Sequence, residues 1–274
     1  MQVPVIRKLP TRFVDKIWGV ARLPSPFPHP SDQPIGEVWF EPPPELDQLL
    51  VKYIFASERL SVQAHPDDDQ AEALGLGRRG KSECWVILDA EPGATIAVGF
   101  LEETNSEEMR KSALDGSIVD RLEWHEVQAG DAYYIPAGTV HAIGGGVSLI
   151  EVQQNSDITF RLFDYGRPRE LHLDEGVQIS DGHPYSPSHR STMEGASGLL
   201  VDGPHFRLAY WRSGSGAPPP LFEPGPLLLV PFSGELSVDG QSIRAGECAL
   251  ASSFDEEALV GECVLLLAQQ MPVG

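Results

Sequence analysis

GDAYYIPAGTVHAI, residues 130–143, is the stretch on which the reading of this chain turns. Gly130-Asp131 favours a tight turn, and Pro136-Ala137-Gly138 turns the chain again. Tyr and Ile between them suit a strand, and His141 follows the second turn at the start of the next one. The same punctuation extends outward on both sides. GGGVSLIEVQQ and ITFRLFDY read as later strands, and WHEV, TIAVGF and SECWVILDA as earlier ones. IGEVWF and LLVKYIFA are rich in β-branched and aromatic residues. In RLSVQAHP the period of two places Leu60, Val62 and Ala64 on one face and Ser61, Gln63 and His65 on the other. With Gly 27 and Pro 24 spread along 274 residues, the pattern is mainly β.

Two stretches depart from that pattern. PDDDQAEALGL has room for one or two helical turns. Residues 104–123 read as a small helical insertion, with a capping box from Thr104 to Glu107 and Gly116 separating two short helices. Residues from about 178 to 198 read as a linker or long loop. After it come FRLAYWR, LLLVPF, GELSVDG, QSIRAG, CALASS and CVLLLAQ, a series of short strands expected to form a second, smaller β-sandwich. The division is therefore 1–190, carrying the chemistry, and 199–274. GELSVDGQSIRAGECALASS repeats the rhythm of the first β-unit but contains no histidine, so the C-terminal unit is expected to be structural and metal-free.

Charged residues make up 22% and hydrophobic ones 41% of the chain, and the formal net charge is −20. Such a surface repels nucleic acid and anionic lipid, so neither is an expected partner. An anionic small substrate would need a local cationic pocket, and screening within roughly 8–10 Å makes that feasible. Cys84, Cys248 and Cys263 are odd in number and lack a CxxC spacing, which reads as reduced, buried thiols in a cytoplasmic protein. The opening MQVPVIRKLPTRFVDKIWG has no continuous apolar segment of the signal-peptide kind. No apolar run reaches the ~20 residues of a membrane-spanning helix.

The chemistry-bearing residues lie on three strands of this series. Gln63 and His65, two apart, project from one face. Glu83 sits in GKSECW, and His141 opens the strand after the Pro-Ala-Gly turn. Each alone has an ordinary structural explanation. Together they offer two imidazoles and a carboxylate, a set suited to Zn²⁺ and other first-row divalent metals. Gln63 adds a neutral oxygen, and an open position would remain for substrate or water.

The G-x5-P-x-G-x2-H pattern from Gly130 to His141 resembles the second signature of the cupin superfamily. In order along the chain, LSVQAHPDD, GKSECW, AYYIPAGTVHAIG and QNSDITFRLFDYGR are similar to the motifs of type I mannose-6-phosphate isomerases, short bacterial form. The resemblance covers roughly residues 15–175. It implies a cupin jelly-roll catalytic domain, one zinc per chain, and interconversion of mannose 6-phosphate and fructose 6-phosphate through a cis-enediol. It places the metal ligands on Gln63, His65, Glu83 and His141, and the active-site arginine on Arg161. Ser61, Lys81 and Glu151 fall on pocket positions. Arg161, taken to share a face with Thr159 and Phe163, suits an enediolate or a phosphate. Lys81 suits phosphate or a proton relay, and Ser61 a substrate hydroxyl. Glu151 is one candidate general base. Asp15 and Trp18, in DKIWG, resemble the family's N-terminal pocket motif.

Two other functions share parts of this set. A cupin Fe(II) oxygenase would use His65, Glu83 and His141, and a non-catalytic sugar-binding cupin could retain the metal; Gln63 and Arg161 favour the isomerase. The chain departs from the family at Cys84, at Gly144–Gly146, where a loosened wall is expected, and from residue 199 onward, where the match is weak. His125, His172, His183, His189 and His205 carry no assigned role.

Overall fold

Alternation along the fully buried strands determines what each layer of the protein receives. The computed structural model describes residues 6–30, 32–215, 224–238, 240–254 and 259–271. Every residue of Leu49–Ala56 is buried. Val51, Tyr53 and Phe55 face one apolar cluster, and Ile54 and Ala56 face another. Such a strand has no solvent side, so it needs a packed layer on each face.

Those layers are sheets. In spatial order, a seven-stranded sheet runs Arg190–Thr192, Asp131–Ile135, Glu83–Ala90, Val147–Gln154, Leu49–Ala56, Ile35–Phe40 and Thr11–Val20. A five-stranded sheet runs Phe160–Phe163, Val62–Ala64, His141–Ile143, Thr95–Phe100 and Leu122–Glu126. Between them lies a core of Trp85, Ile87, Tyr133 and Leu149 from the first sheet and Ile96, Val98 and Ile143 from the second. The outer face of the five-stranded sheet is closed by Met109, Ala113, Ile118, Val177 and Ile179, all helical. The outer face of the seven-stranded sheet meets an eight-stranded sheet through Val38, Val86, Phe206, Leu228 and Leu266.

That third sheet is built mostly from the C-terminal strands, but it recruits Ile6–Lys8, which pairs antiparallel with Ala249–Ala251. One strand thus crosses the division drawn between 1–190 and 199–274, and a single apolar cluster joins the two sides. LLLVPF and GELSVDG, read as separate strands, form one strand, Leu227–Val238, with an irregularity between Pro231 and Ser233. Asp239 of the expected Asp-Gly turn, Leu221–Glu223 before that strand and the last three residues lie outside the described residues.

Several expected elements are corrected. The capping box starts one residue later, with Asn105 accepting from the Glu108 N–H and Glu108 accepting from the Asn105 N–H. Thr104 is held outside the helix: its hydroxyl donates to the Glu102 carbonyl and accepts from Arg121, and its N–H donates to the Gly182 carbonyl. Gly116 ends that helix in the left-handed region at φ 84°. An unforeseen helix, Leu173–Ile179, interrupts the chain before the supposed linker, which itself contains the strand Arg190–Thr192. The wall at Gly144–Gly146 is tight, not loose. A Cβ on Gly144 would stand 2.3 Å from the Thr95 carbonyl oxygen, and one on Gly145 2.9 Å from that of Ser57. No helix among the described residues is long and apolar enough to cross a membrane.

Candidate metal centre

Antiparallel register puts Arg161 opposite Gln63, and Gln63 opposite His141, so the three occupy one row across the five-stranded sheet. His65 lies just past the end of Val62–Ala64. The turn at 136–139 connects the two histidines. Gly138, at φ 86°, donates its N–H to the His65 carbonyl at 2.7 Å, and the Thr139 carbonyl accepts from His141 Nδ1 at 2.9 Å. His65 Nδ1 donates to the Ile158 carbonyl at 2.8 Å. A carbonyl can only accept, so both rings carry their proton on Nδ1 and present a bare Nε2. Metal-binding histidines are oriented by the same kind of outer hydrogen bond.

Glu83 comes from the facing sheet. Its Oε1 is 3.4 Å from His141 Nε2 and its Oε2 3.5 Å from His65 Nε2. The three ligand atoms lie within 4.8 Å of one another, and all three residues are buried. Glu83 Oε1 is buried without a hydrogen-bond partner. A buried carboxylate oxygen left unpaired is costly unless a cation completes it. Two bare imidazole nitrogens beside it supply the donor set that a borderline divalent ion takes. Gln63 borders the same space: its Nε2 is 3.3 Å from His141 Nε2, while its Oε1 accepts from Ser61 at 3.0 Å. As placed, the amide nitrogen faces the cluster, and a half-turn of the amide would bring the expected oxygen there.

Glu83 is positioned by its approach to the His65 segment. The Lys81 N–H donates to the Pro66 carbonyl at 2.9 Å. Gly80 has no room for a side chain, since a Cβ would lie 2.4 Å from that same carbonyl oxygen. Lys81 Nζ then reaches Glu83 Oε2 at 2.5 Å and His65 Nε2 at 3.0 Å. Glu151 is a register partner of Lys52 and of Trp85, and it binds both, at 2.9 Å and 3.0 Å. Lys81 stands 3.6 Å from the same carboxylate.

These contacts set the charge states. Burial, then the Lys81 ammonium, lowers the pKa of His65 well below the ordinary imidazole value and that of His141 to about 4. Burial and the Glu151 charge push Glu83 up. Burial also acts to raise Glu151, but the Lys52 and Lys81 ammonium groups outweigh it and hold that carboxyl low. A pH dependence follows for chelated protein. A lowered imidazole pKa contributes stability above pH ~6.5 that is lost as pH falls towards 4. The raised Glu83 acts with opposite sign over the same window and offsets part of the loss. The unfolding temperature should therefore fall between pH 6.5 and 4, and Glu83→Gln should steepen that fall. Calorimetry on both proteins checks this; a shallower fall in the variant would contradict it.

The centre opens onto a pocket in two parts. A small inner chamber, about 80 Å³, is lined by Ser61, Gln63, Trp85, Glu151 and Arg169 among others. An outer cleft of about 480 Å³ is lined by Arg12, Asp15, Trp39 and Asp157. Lys16, Glu37, Lys52, Lys81, Thr159 and Arg161 line both. Six cationic side chains thus face four acidic ones in a chain of net charge −20. Among these lining residues, Arg12, Lys16, Glu37, Trp39, Lys52, Asp157 and Arg169 were not foreseen. Lys52 had a signal, being the one charge inside LLVKYIFA. Trp18 forms a buried wall of the inner chamber and Asp15 an exposed edge of the outer one. Phe163 leaves the pocket face, because the register shifts after Arg161 and its ring packs over Gly116 in the helical layer. Cys84, Cys248 and Cys263 are free and buried.

No protein-family model matches the chain. Among curated proteins, mannose-6-phosphate isomerase of Bacillus subtilis is 36% identical over 199 residues, which span 66% of this chain and 60% of that protein. A second Bacillus subtilis protein, named probable mannose-6-phosphate isomerase, is 31% identical over 82% of this chain and 74% of its own length. The chain thus spans three fifths to three quarters of these relatives. The crystal structure of a Bacillus subtilis mannose 6-phosphate isomerase superposes with a TM-score of 0.76 at 25% identity, covering 98% of this chain and 100% of that one. The mainly β cupin fold expected from the sequence is thereby established.

Proposed function

We propose, since this chain belongs to the mannose-6-phosphate isomerase family, that it interconverts mannose 6-phosphate and fructose 6-phosphate. The observation that carries the reading is the buried His65–Glu83–His141 cluster at the end of a cation-lined pocket. His65, Glu83, His141 and Gln63 would hold one Zn²⁺ per chain. Once bound, the ion supplies positive charge for the two oxygens at C1 and C2 of the open-chain sugar.

The protein's own groups supply the surrounding charge and hydrogen bonds. Moving a proton between C1 and C2 through a cis-enediol builds negative charge on the substrate oxygens. Arg161, on the same row as Gln63 and His141, faces that charge with a permanent cation. Ser61, hydrogen-bonded to Gln63, is placed for a substrate hydroxyl. Lys81 lines both chambers and can hold or relay a hydroxyl proton. Glu151 remains a carboxylate, but Lys52 and Trp85 make it a weak base. We therefore assign it the orientation of the two lysines and of a substrate hydroxyl, in place of carbon-proton abstraction.

The eight-stranded sheet is proposed as structural, with no metal of its own. The acidic surface and the free buried thiols support a cytoplasmic enzyme acting on a small substrate, without nucleic-acid or membrane partners. A coupled assay for fructose 6-phosphate tests the central claim. Turnover should vanish on chelation, return with Zn²⁺ and proceed without oxygen. Fully metallated protein that shows no turnover would reject it.

A further inference from the structure

We propose that Arg12 is the residue that selects a phosphorylated over a neutral sugar, by clamping the phosphate in the outer cleft. The inference rests on the isomerase reading. Gln63, Trp85 and Glu151, which surround the metal centre, line only the inner chamber. Arg12 lines only the outer cleft. In an open-chain hexose 6-phosphate the reacting C1 and C2 are at one end and the phosphate at the other. With C1 and C2 in the inner chamber, the phosphate extends outward.

Four of the other pocket cations are already engaged. Lys52 pairs with Glu151 at 2.9 Å, Lys16 with Glu37 at 3.3 Å, and Arg169 with Asp164 at 2.6 Å. Lys81 pairs with Glu83 deep inside. Arg161 forms no ion pair among the described residues, but it borders both chambers beside Gln63 and is committed to the reacting end. Arg12 also forms no ion pair among the described residues. Its guanidinium instead lies 4.3 Å from the Trp39 ring centroid, opposite it in register. Trp39 is fixed in turn by donating Nε1–H to Glu37 Oε2 at 2.6 Å. Stacking on a held indole orients the guanidinium plane while leaving its N–H groups free. A pre-oriented fork without a carboxylate matches a phosphate dianion bidentately.

Arg12 is exposed on its strand, so its substitution should leave the fold intact. In Arg12→Ala, KM for mannose 6-phosphate should rise ~10–100-fold, as expected for losing charged hydrogen bonds, with kcat changed less than about threefold. Arg12→Lys should recover only part, because an ammonium lacks the fork. Arg78→Ala, at a site 90% exposed and outside the pocket, controls for removing one positive charge and should leave KM unchanged. Inorganic phosphate titrated into each metal-loaded protein by calorimetry reads the same site without turnover, and Arg12→Ala should weaken it at least tenfold. Unchanged phosphate affinity and unchanged KM in Arg12→Ala would overturn the inference. An inactive wild type that still shows Arg12-dependent phosphate binding would instead reject the isomerase reading and leave the anion site standing.

Discussion

Replacing His141 with alanine is expected to remove the metal and to lower turnover by ~10³-fold or more, the scale of several kcal/mol of charge stabilisation. The imidazole contributes more than one ligand. Its Nε2 lies 3.4 Å from Glu83 Oε1, the buried oxygen that has no hydrogen-bond partner. It also accepts the Gln63 amide, and its ring meets the edge of Trp85 at 5.3 Å. Alanine leaves Glu83, His65 and Gln63 around a larger space, with Lys81 as the remaining counter-charge for the carboxylate. Metal content after dialysis and the rate of fructose 6-phosphate formation should fall together. A variant that keeps one equivalent of tightly bound metal would show that the cluster is not the metal site.

The order of these ligands was legible because each local signal is short-range. Two residues apart on a strand, Gln63 and His65 must share a face whatever the tertiary structure does. The turn before His141 needs a glycine at positive φ, and Gly138 announces it. What was not legible depends on contacts distant in sequence. TNSEE fits a capping box in two registers, and only the engagement of Thr104 with the Glu102 and Gly182 backbones decides for Asn105. Leu173–Ile179 is brief, contains Gly176 and has no side-chain cap. Its stability derives from Val177 and Ile179 packing under the five-stranded sheet, so no local pattern reveals it. Ile6–Lys8 finds its partner more than 240 residues away. Arg12 and Trp39 carry no motif, and their role comes from register alone. Lys52 and Glu151 were visible as charges in apolar runs, but their pairing required knowing that the two strands are neighbours.

Arg161→Ala is expected to separate chemistry from metal binding: turnover should fall ~10²–10³-fold, as when an oriented transition-state donor is lost, while metal content stays at one equivalent. The geometry supports that division. Arg161 is beside Gln63 in register but outside the His65–Glu83–His141 cluster, and its backbone N–H is tied to His172 Nδ1 at 3.1 Å. Burial and the adjacent Arg169 oppose its charge, with Asp164 and Glu170 offsetting them. A guanidinium remains protonated under that pressure, so the row across the sheet presents a permanent cation that forms no ion pair with a carboxylate among the described residues. Positive charge held in this way interacts more strongly with a developing enediolate than with neutral sugar, so the loss should appear in kcat. Arg12→Ala should instead act on KM, because a phosphate is charged equally in ground and transition states. Arg161→Lys should restore only a fraction, since one ammonium cannot span two oxygens as a fork does. Metal analysis and steady-state rates on the same preparations decide the matter. If Arg161→Ala lost its metal along with its activity, the guanidinium would be supporting the centre and the division of roles would fail.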